Sequence, residues 1–367
     1  MRVVSVQLRD FRTYTRAEAH LGEGLTVVHG PNGAGKSNLL EALYFGCTGR
    51  STRTRNEREL VRFGAQAARV VVQLADGSHQ HELSVGFEPG QSKRMSADGA
   101  PVERLIDIET RPLLSVFLPD RLELLKGAPA VRRAHLDQFV AAVWPARGAD
   151  RRVYSQVLSQ RNALLAGIRA GRASRASIST WDRQLAHHAL VLREHRRTAV
   201  ALLTKPFAER ASQLGLTGAA SLDYRPRSLA LDEDEFVAEL QGRLPGDLER
   251  GFSTHGPHRD ELAPLRDGRE LRLYGSQGEQ RLALLALLLA ERTVLASERR
   301  RTPLMLLDDV MSELDSERRE LLARELSAGG QSVIATTDLA HVPGGGAPDV
   351  TRLRVSPGAI LQEALAA

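Results

Sequence analysis

The chain has 367 residues, 42% of them hydrophobic, enough to bury a large core in two or three domain-sized pieces. Its longest wholly apolar stretch, Leu282 to Ala290, is far below the roughly 18 residues that cross a bilayer, the N-terminus carries no secretory h-region, and the single cysteine, Cys47, can form no internal disulfide, so a cytoplasmic protein off the membrane is expected. A formal charge of +5 and a sequence pI near 9.7 favour a polyanionic partner beyond one nucleotide.

In chain order, the alternating run Val3 to Leu8 predicts a strand, and the apolar run Leu25-Thr26-Val27-Val28 predicts another. The second leads into Gly30-Pro31-Asn32-Gly33-Ala34-Gly35-Lys36-Ser37 and then the helical stretch Asn38 to Tyr44. Gly30, four residues, then Gly35-Lys36-Ser37 is the spacing of a phosphate-binding loop in its strand-to-helix context. The glycines let backbone amides turn inward, and the helix beginning near Lys36 adds its positive end. Lys36 can reach the β- and γ-phosphates while the Ser37 hydroxyl ligates Mg²⁺, so ATP with Mg²⁺ is the expected ligand. Cys47, where that helix should end, reads as a small core residue.

Arg50-Ser51-Thr52-Arg53-Thr54-Arg55 follows the helix and continues to Arg58 and Arg62. Arg69 to Leu74 and His81 to Phe87 read as strands, with Asp98-Gly99 as a hairpin turn. From about Lys126 to Arg250 the periodicity becomes helical, as in Val153, Val157, Leu158, Leu164 and Leu165, which predicts an inserted lobe. Between Arg147 and Arg197 the arginines, among them Arg151, Arg152 and Arg161, meet only Asp150, Asp182 and Glu194. Arg50, Arg53 and Arg55, and Arg151, Arg152 and Arg161, are DNA-contact candidates by backbone neutralisation; the alternative is solvated helix faces in a chain with only four lysines.

Beyond Phe252 the βα pattern returns. His255 and His258 in Thr254-His255-Gly256-Pro257-His258-Arg259-Asp260 lack the third and fourth ligands of a zinc site, and Gly-Pro between them favours a turn, so the motif reads as structural or lobe-joining. Leu271 to Leu273 reads as a strand, and Gly278 to Glu291 as a helix. Tyr274-Gly275-Ser276-Gln277-Gly278-Glu279-Gln280, just before that helix, resembles the signature motif of ABC ATPases. There Ser276 and Gly278 would bind the γ-phosphate held by a second subunit; the alternative is a helix cap at Ser276. Leu304-Met305-Leu306-Leu307-Asp308-Asp309 is a buried parallel strand with an acidic pair at its carboxyl end, and Ser332 to Thr336 is a further strand. Asp308 would hold Mg²⁺ and Asp309 would face the attacking water.

With these motifs in order the chain resembles the RecF family, relatives of the SMC and ABC proteins. The resemblance spans the chain through Leu8-Arg9-Asp10-Phe11-Arg12, the phosphate loop, Glu59-Leu60-Val61-Arg62-Phe63-Gly64, Arg132-Arg133-Ala134-His135-Leu136-Asp137, Thr254 to Asp260, Ser276 to Arg281 and Leu307 to Asp315. It implies an α/β fold: an ABC-type P-loop ATPase head, a mixed sheet with flanking helices, divided between residues 1–125 and 252–367 around a helical lobe at 126–251. It implies a weak, DNA-stimulated ATPase of DNA repair, replication and the SOS response. ATP would drive a head-to-tail homodimer that binds double-stranded, single-stranded and gapped DNA and works with RecR and RecO in loading RecA.

Carried over, Lys36, Asp308, Asp309 and Ser276 are the catalytic set, and Ser312-Glu313-Leu314-Asp315 is the loop that meets the partner subunit. Two departures from the transporter pattern imply slow hydrolysis: Thr336-Thr337-Asp338 stands where transporters place a histidine, and Asp309 replaces a glutamate. No glutamine is assigned to the loop joining the two halves; the nearest segment is Phe117-Leu118-Pro119-Asp120. Two rivals remain: an ATP-gated structural clamp without meaningful turnover, and a transporter ATPase subunit, which the arginine blocks and helical insertion disfavour.

Overall fold

The N-terminal strand β1 (Arg2–Phe11) turns Val3, Val6 and Leu8 inward, and a register shift between Val3 and Ser5 explains the three-residue step in that pattern. After β2 (Tyr14–His20), β3 (Leu25–His29) is apolar and buried at successive positions, as a parallel strand covered on both faces must be. Helix α1 (Lys36–Thr48) ends where Gly49 takes the left-handed conformation (φ 69°) and donates to the Phe45 carbonyl at 2.7 Å. Then come β4 (Ala68–Asp76), β5 (His79–Phe87), β6 (Arg94–Ala97), β7 (Ala100–Val102) and β8 (Leu114–Phe117). Asp98 and Gly99, at φ 51° and 78°, make the two-residue hairpin between β6 and β7 that their residue types predict.

The next elements are α2 (Glu123–Lys126), α3 (Pro129–Val143), α4 (Asp150–Arg169), α5 (Ile178–Gln213), β9 (Ala220–Arg225) and α6 (Glu233–Arg250). They are followed by β10 (Glu261–Arg266), β11 (Arg269–Glu270), α7 (Leu271–Tyr274) and α8 (Gln277–Arg299). The chain closes with β12 (Leu304–Asp308), α9 (Ser316–Ser327), β13 (Ser332–Thr336), β14 (Thr351–Ser356) and β15 (Ala359–Gln362).

This computed structural model describes residues 1–54, 56–118 and 122–363. It divides into two compact units, Met1–Arg121 with Leu295–Ala367, and Leu122–Val294. Set beside the boundaries expected at 125/126 and 251/252, the second break falls later. The cause is non-local pairing: β10 lies antiparallel between β9 and β11, which ties residues after 252 to the helical part.

The first unit is layered. One sheet runs β2-β1-β4-β5-β6-β7, all antiparallel; the other runs β15-β14-β3-β13-β12-β8, parallel except for the β14–β15 edge pair. Helix α1 packs against strands of both, which is why it is apolar nearly all round, and its residues join both sheets in one core. Gly46 permits the close approach: a β-carbon there would sit 2.4 Å from Val72 Cγ2. The fold is thus the mixed α/β type of ABC ATPase heads.

In the second unit Tyr154, Val157, Leu185, Ala189, Phe236 and Leu240 make the core of α4, α5 and α6. Two expectations are corrected here. Leu271 to Leu273 forms a helical turn rather than a strand, because β11 is only two residues long and the chain leaves the sheet at once. The helical stretch is interrupted by β9, whose partner β10 lies far ahead in sequence.

Candidate nucleotide site

The loop between β3 and α1 turns through Gly30, Gly33 and Gly35, at φ 153°, 78° and 115°. A β-carbon at Gly35 would lie 2.7 Å from the Tyr14 hydroxyl, which itself donates to the Gly35 carbonyl at 2.9 Å, so glycine is required there twice over. Pro31, Asn32 and Gly33 form the exposed lip of the loop, and Ala34 is buried beneath them. The first turn of α1 has no side-chain cap, leaving its positive end to an anion.

Lys36 is buried, and its Nζ donates to the carbonyls of Gly30 at 2.8 Å and Pro31 at 3.0 Å, bridging the loop. Burial lowers the pKa of its ammonium, against the pull of Asp308 and Asp309, which favour the charged form. Asp308 ends β12, with the Ser37 hydroxyl near enough to its carboxylate to favour the charged form. Burial raises that carboxyl's pKa; the Ser37 hydroxyl and the charges of Arg53 and Lys36 oppose the rise, while Asp309 adds to it. Asp309 sits in the left-handed region at φ 52°, with its amide donating to the Ala335 carbonyl at 3.0 Å. Its Oδ1 is buried with no hydrogen-bond partner among the described residues. Such an orphaned acceptor is costly unless a donor or cation reaches it. The donor set, hydroxyl plus carboxylates beside a glycine-rich loop and the uncapped start of α1, fits a nucleoside triphosphate with a hard divalent ion.

Beside this cluster lies Glu41, which carried no role in the sequence reading. Glu41, buried on α1, accepts from Arg12 Nε and Nη2, both at 2.9 Å, and from the Ser51 hydroxyl at 2.5 Å. Arg53 Nη1 lies 3.6 Å from the same carboxylate and donates to Asn38 Oδ1 at 2.9 Å. Glu41 therefore pins both the β1–β2 turn and the 51–54 segment to α1. An acid inside Leu39-Leu40-Glu41-Ala42-Leu43 was the available signal.

The DNA-contact candidates divide. Arg50 and Arg53 are both exposed, although Arg53 is engaged by Glu41 and Asn38; Arg55 lies outside the described residues. Arg152 is exposed, and Arg151, half exposed, meets Asp137 at 3.0 Å. Arg161 is corrected: its side chain is fully enclosed, donating to Asp182 at 2.7 Å, Asp247 at 2.9 Å and the Ser253 hydroxyl at 2.7 Å, so no phosphate can reach it.

In the second unit, Ser276 and Glu279 form a reciprocal cap on α8: Ser276 N donates to Glu279 Oε2 at 2.8 Å, and Glu279 N donates to Ser276 Oγ at 3.3 Å. The cap reading of Ser276 therefore holds, and both Ser276 and Gly278 remain exposed at the start of the helix. In the first unit the Ser312 hydroxyl donates to the Asp309 carbonyl at 2.8 Å, and Asp315 caps α9. Thr336 Oγ1 donates to the Asp338 carbonyl at 3.0 Å, and the Asp338 carboxylate accepts from Ala340 N at 2.9 Å.

The arginine and histidine motifs of the second unit knit it together. Arg132 pairs with Glu261, His135 with Glu291, and buried Arg196 with Asp137 and Asp260. His255 Nε2 meets Glu239 at 2.6 Å; His258 sits between the Tyr154 hydroxyl at 2.7 Å and the Ser253 carbonyl at 3.0 Å.

Residues 2–342 match the model of the RecF/RecN/SMC N-terminal domain family. The DNA replication and repair protein RecF of Myxococcus xanthus strain DK1622 is 36% identical over 372 aligned positions, covering 98% of this chain and 97% of the relative. That of Acidothermus cellulolyticus is 36% identical over 344, covering 90% and 92%. A solved structure described as the recombination mediator protein RecF-ATP in the RecFOR pathway superposes with a TM-score of 0.86 at 26% identity, covering 99% of this chain and 97% of that one. An Smc head domain from Pyrococcus furiosus, at 16% identity and a TM-score of 0.59, shares the fold.

Proposed function

The chain belongs to the RecF family, within the RecF/RecN/SMC N-terminal domain family, and on that premise we propose that it is an ATP-dependent DNA-binding protein of recombinational repair and replication-fork maintenance. In this reading ATP with Mg²⁺ drives head-to-tail pairing of two copies into a DNA clamp. Slow hydrolysis releases it, and with RecR and RecO the clamp helps load RecA at single-strand gaps. The ATP named for the superposing RecF structure supports the nucleotide.

The observation that carries the proposal is the meeting of two motifs far apart in sequence: Lys36, which bridges the loop carbonyls of Gly30 and Pro31, lies in the field of Asp308 and Asp309, and Asp309 Oδ1 is left buried without a partner among the described residues. The bound triphosphate and its ion supply the electrophilic phosphorus and the charge that links the two copies. The chain's own residues do the rest. The uncapped start of α1 orients the phosphates, and Lys36 offsets their charge from a buried position. Ser37 and Asp308 hold the ion, and Asp309 Oδ1 is free to accept a proton from a water. Ser276 and Gly278, exposed at the positive end of α8, meet the γ-phosphate of the partner copy.

Slow turnover follows from two features. Asp309 is shorter than glutamate, and Thr336 and Asp338 are committed to local bonds where transporters place a histidine. No helix among the described residues is long and apolar enough to cross a membrane. The test is ATP turnover with and without double-stranded, single-stranded and gapped DNA, read alongside mass by light scattering. ATP-dependent doubling of mass with DNA-stimulated turnover is expected; a chain that stays monomeric with ATP overturns the clamp.

A further inference from the structure

Ladder registers in the first unit place Arg16 opposite Arg9, Arg9 opposite Arg69, Arg69 opposite Gly86 and Gly86 opposite Arg94. Directly opposed residues share a face, so one row crosses β2, β1, β4, β5 and β6 with arginine at every strand except the glycine. All four arginines are exposed, and among the described residues none has a carboxylate as ion-pair partner. Arg69 Nε donates instead to the Ser84 hydroxyl at 3.1 Å, and Arg94 to Gln91 at 3.4 Å. Like charges directly opposite one another destabilise a sheet, so the row is an uncompensated cost in the chain alone.

The row crosses the floor of a cavity of about 740 Å³ lined by Arg9, Arg69, Gly86 and Arg94, with Arg62 on its wall. Of the carboxylates lining it, Asp10 is spent on Arg62 at 2.8 Å, which leaves Glu88. Gly86 and Ser84 keep the middle of the floor low. Neighbouring strands lie about 4.8 Å apart, so the guanidinium stems step across the sheet at a spacing that flexible arginines can match to successive phosphates. The volume, about 740 Å³, suits a few nucleotide units of an extended strand.

We propose that this arginine row is a binding track for the phosphodiester backbone of single-stranded nucleic acid, on a sheet face that α1 does not cover. The proposal rests on the DNA-binding reading above and adds a site which needs neither nucleotide nor a second copy.

The experiment is fluorescence anisotropy of labelled oligothymidylate with the full chain, without ATP, across a salt series. Arg9→Gln, Arg69→Gln and Arg94→Gln combined should weaken binding at least tenfold and flatten the log–log salt slope by about 2, since each single-strand phosphate contact contributes roughly 0.7. The same variant should melt no lower than the parent at low salt, because like-charge opposition has been removed; a collapse in melting temperature would make the row structural and overturn the track. Unchanged affinity and slope would overturn it too, as would displacement of the oligonucleotide by polyglutamate at matched charge, which assigns the row to an acidic protein. Duplex binding with ATP, measured in parallel, keeps the two claims apart. Its survival when the parent binds no oligothymidylate sinks the track alone, and loss of both sinks the clamp.

Discussion

At the residue scale the site is a set of buried charges whose partners are split between chain and ligand. Lys36 is held by two loop carbonyls and biased by two aspartates. Lys36→Met should therefore lower ATP affinity by tenfold or more in a fluorescent-nucleotide titration; equal affinity refutes the loop assignment. Asp309→Asn keeps shape and tolerates the left-handed backbone at φ 52°, since asparagine adopts it readily. That variant should bind ATP, accumulate as a dimer and turn over little, which single-turnover measurements can read.

A second residue makes a pH prediction. Burial pushes His258 down to about 4, and its two nitrogens are engaged in the neutral form by the Tyr154 hydroxyl and the Ser253 carbonyl. The unfolded chain takes the proton near pH 6.5, so stability should fall as pH drops from about 6.5 towards 4. His258→Gln should flatten that part of a melting-temperature profile; an unchanged acid slope would show that other groups dominate.

At the element scale, helix ends are where local chemistry and function meet. The Ser276–Glu279 cap fixes the start of α8, and losing the hydroxyl alone costs about 1 kcal/mol. Ser276→Ala should thus lower stability slightly. Ser276→Arg adds bulk and charge at an exposed helix start, so ATP binding should survive in the monomer while dimerisation fails; normal ATP-dependent dimers by light scattering would disprove the signature role. Helix α1 carries the complementary case. Glu41 is buried with Arg12 as its bidentate partner, and removing one member of such a pair costs about 3–5 kcal/mol. Glu41→Ala should therefore shift urea denaturation strongly and free the 51–54 segment; a shift under about 1 kcal/mol would show that water replaces the carboxylate at little cost.

At the scale of the whole molecule, ATP-driven pairing would bring the segments after α1 of both copies together and so double the local positive charge. Arg50 and Arg53 changed together to alanine should leave ATP binding intact while DNA affinity in ATP falls and its salt slope flattens. Arg53 also acts on Asp308, so turnover is expected to change with it, whereas Arg50→Ala alone should affect DNA only. Arg152, exposed on α4, and Arg151, half exposed and paired with Asp137, test the helical unit separately. Unchanged anisotropy titrations in both double variants would move the DNA contacts away from these segments.

Local rules made the phosphate loop, the β6–β7 hairpin and the start of α8 legible in the sequence, because glycine at positive φ, Asp-Gly turns and Ser/Glu caps depend on residues a few positions apart. The apolar runs of β3, β12 and β13 were legible for a similar reason: strands covered on both faces need no alternation. Tertiary structure decided what depends on distant partners. Arg161 and Arg152 look alike in the chain, and only the approach of Asp182 and Asp247 buries one of them. Glu41 becomes a hub only when α1 lies against the β1–β2 turn, and the arginine row exists only through the register of strands separated by up to several dozen residues. Burial and cross-strand pairing are properties of which segments meet, and no short window of sequence contains them.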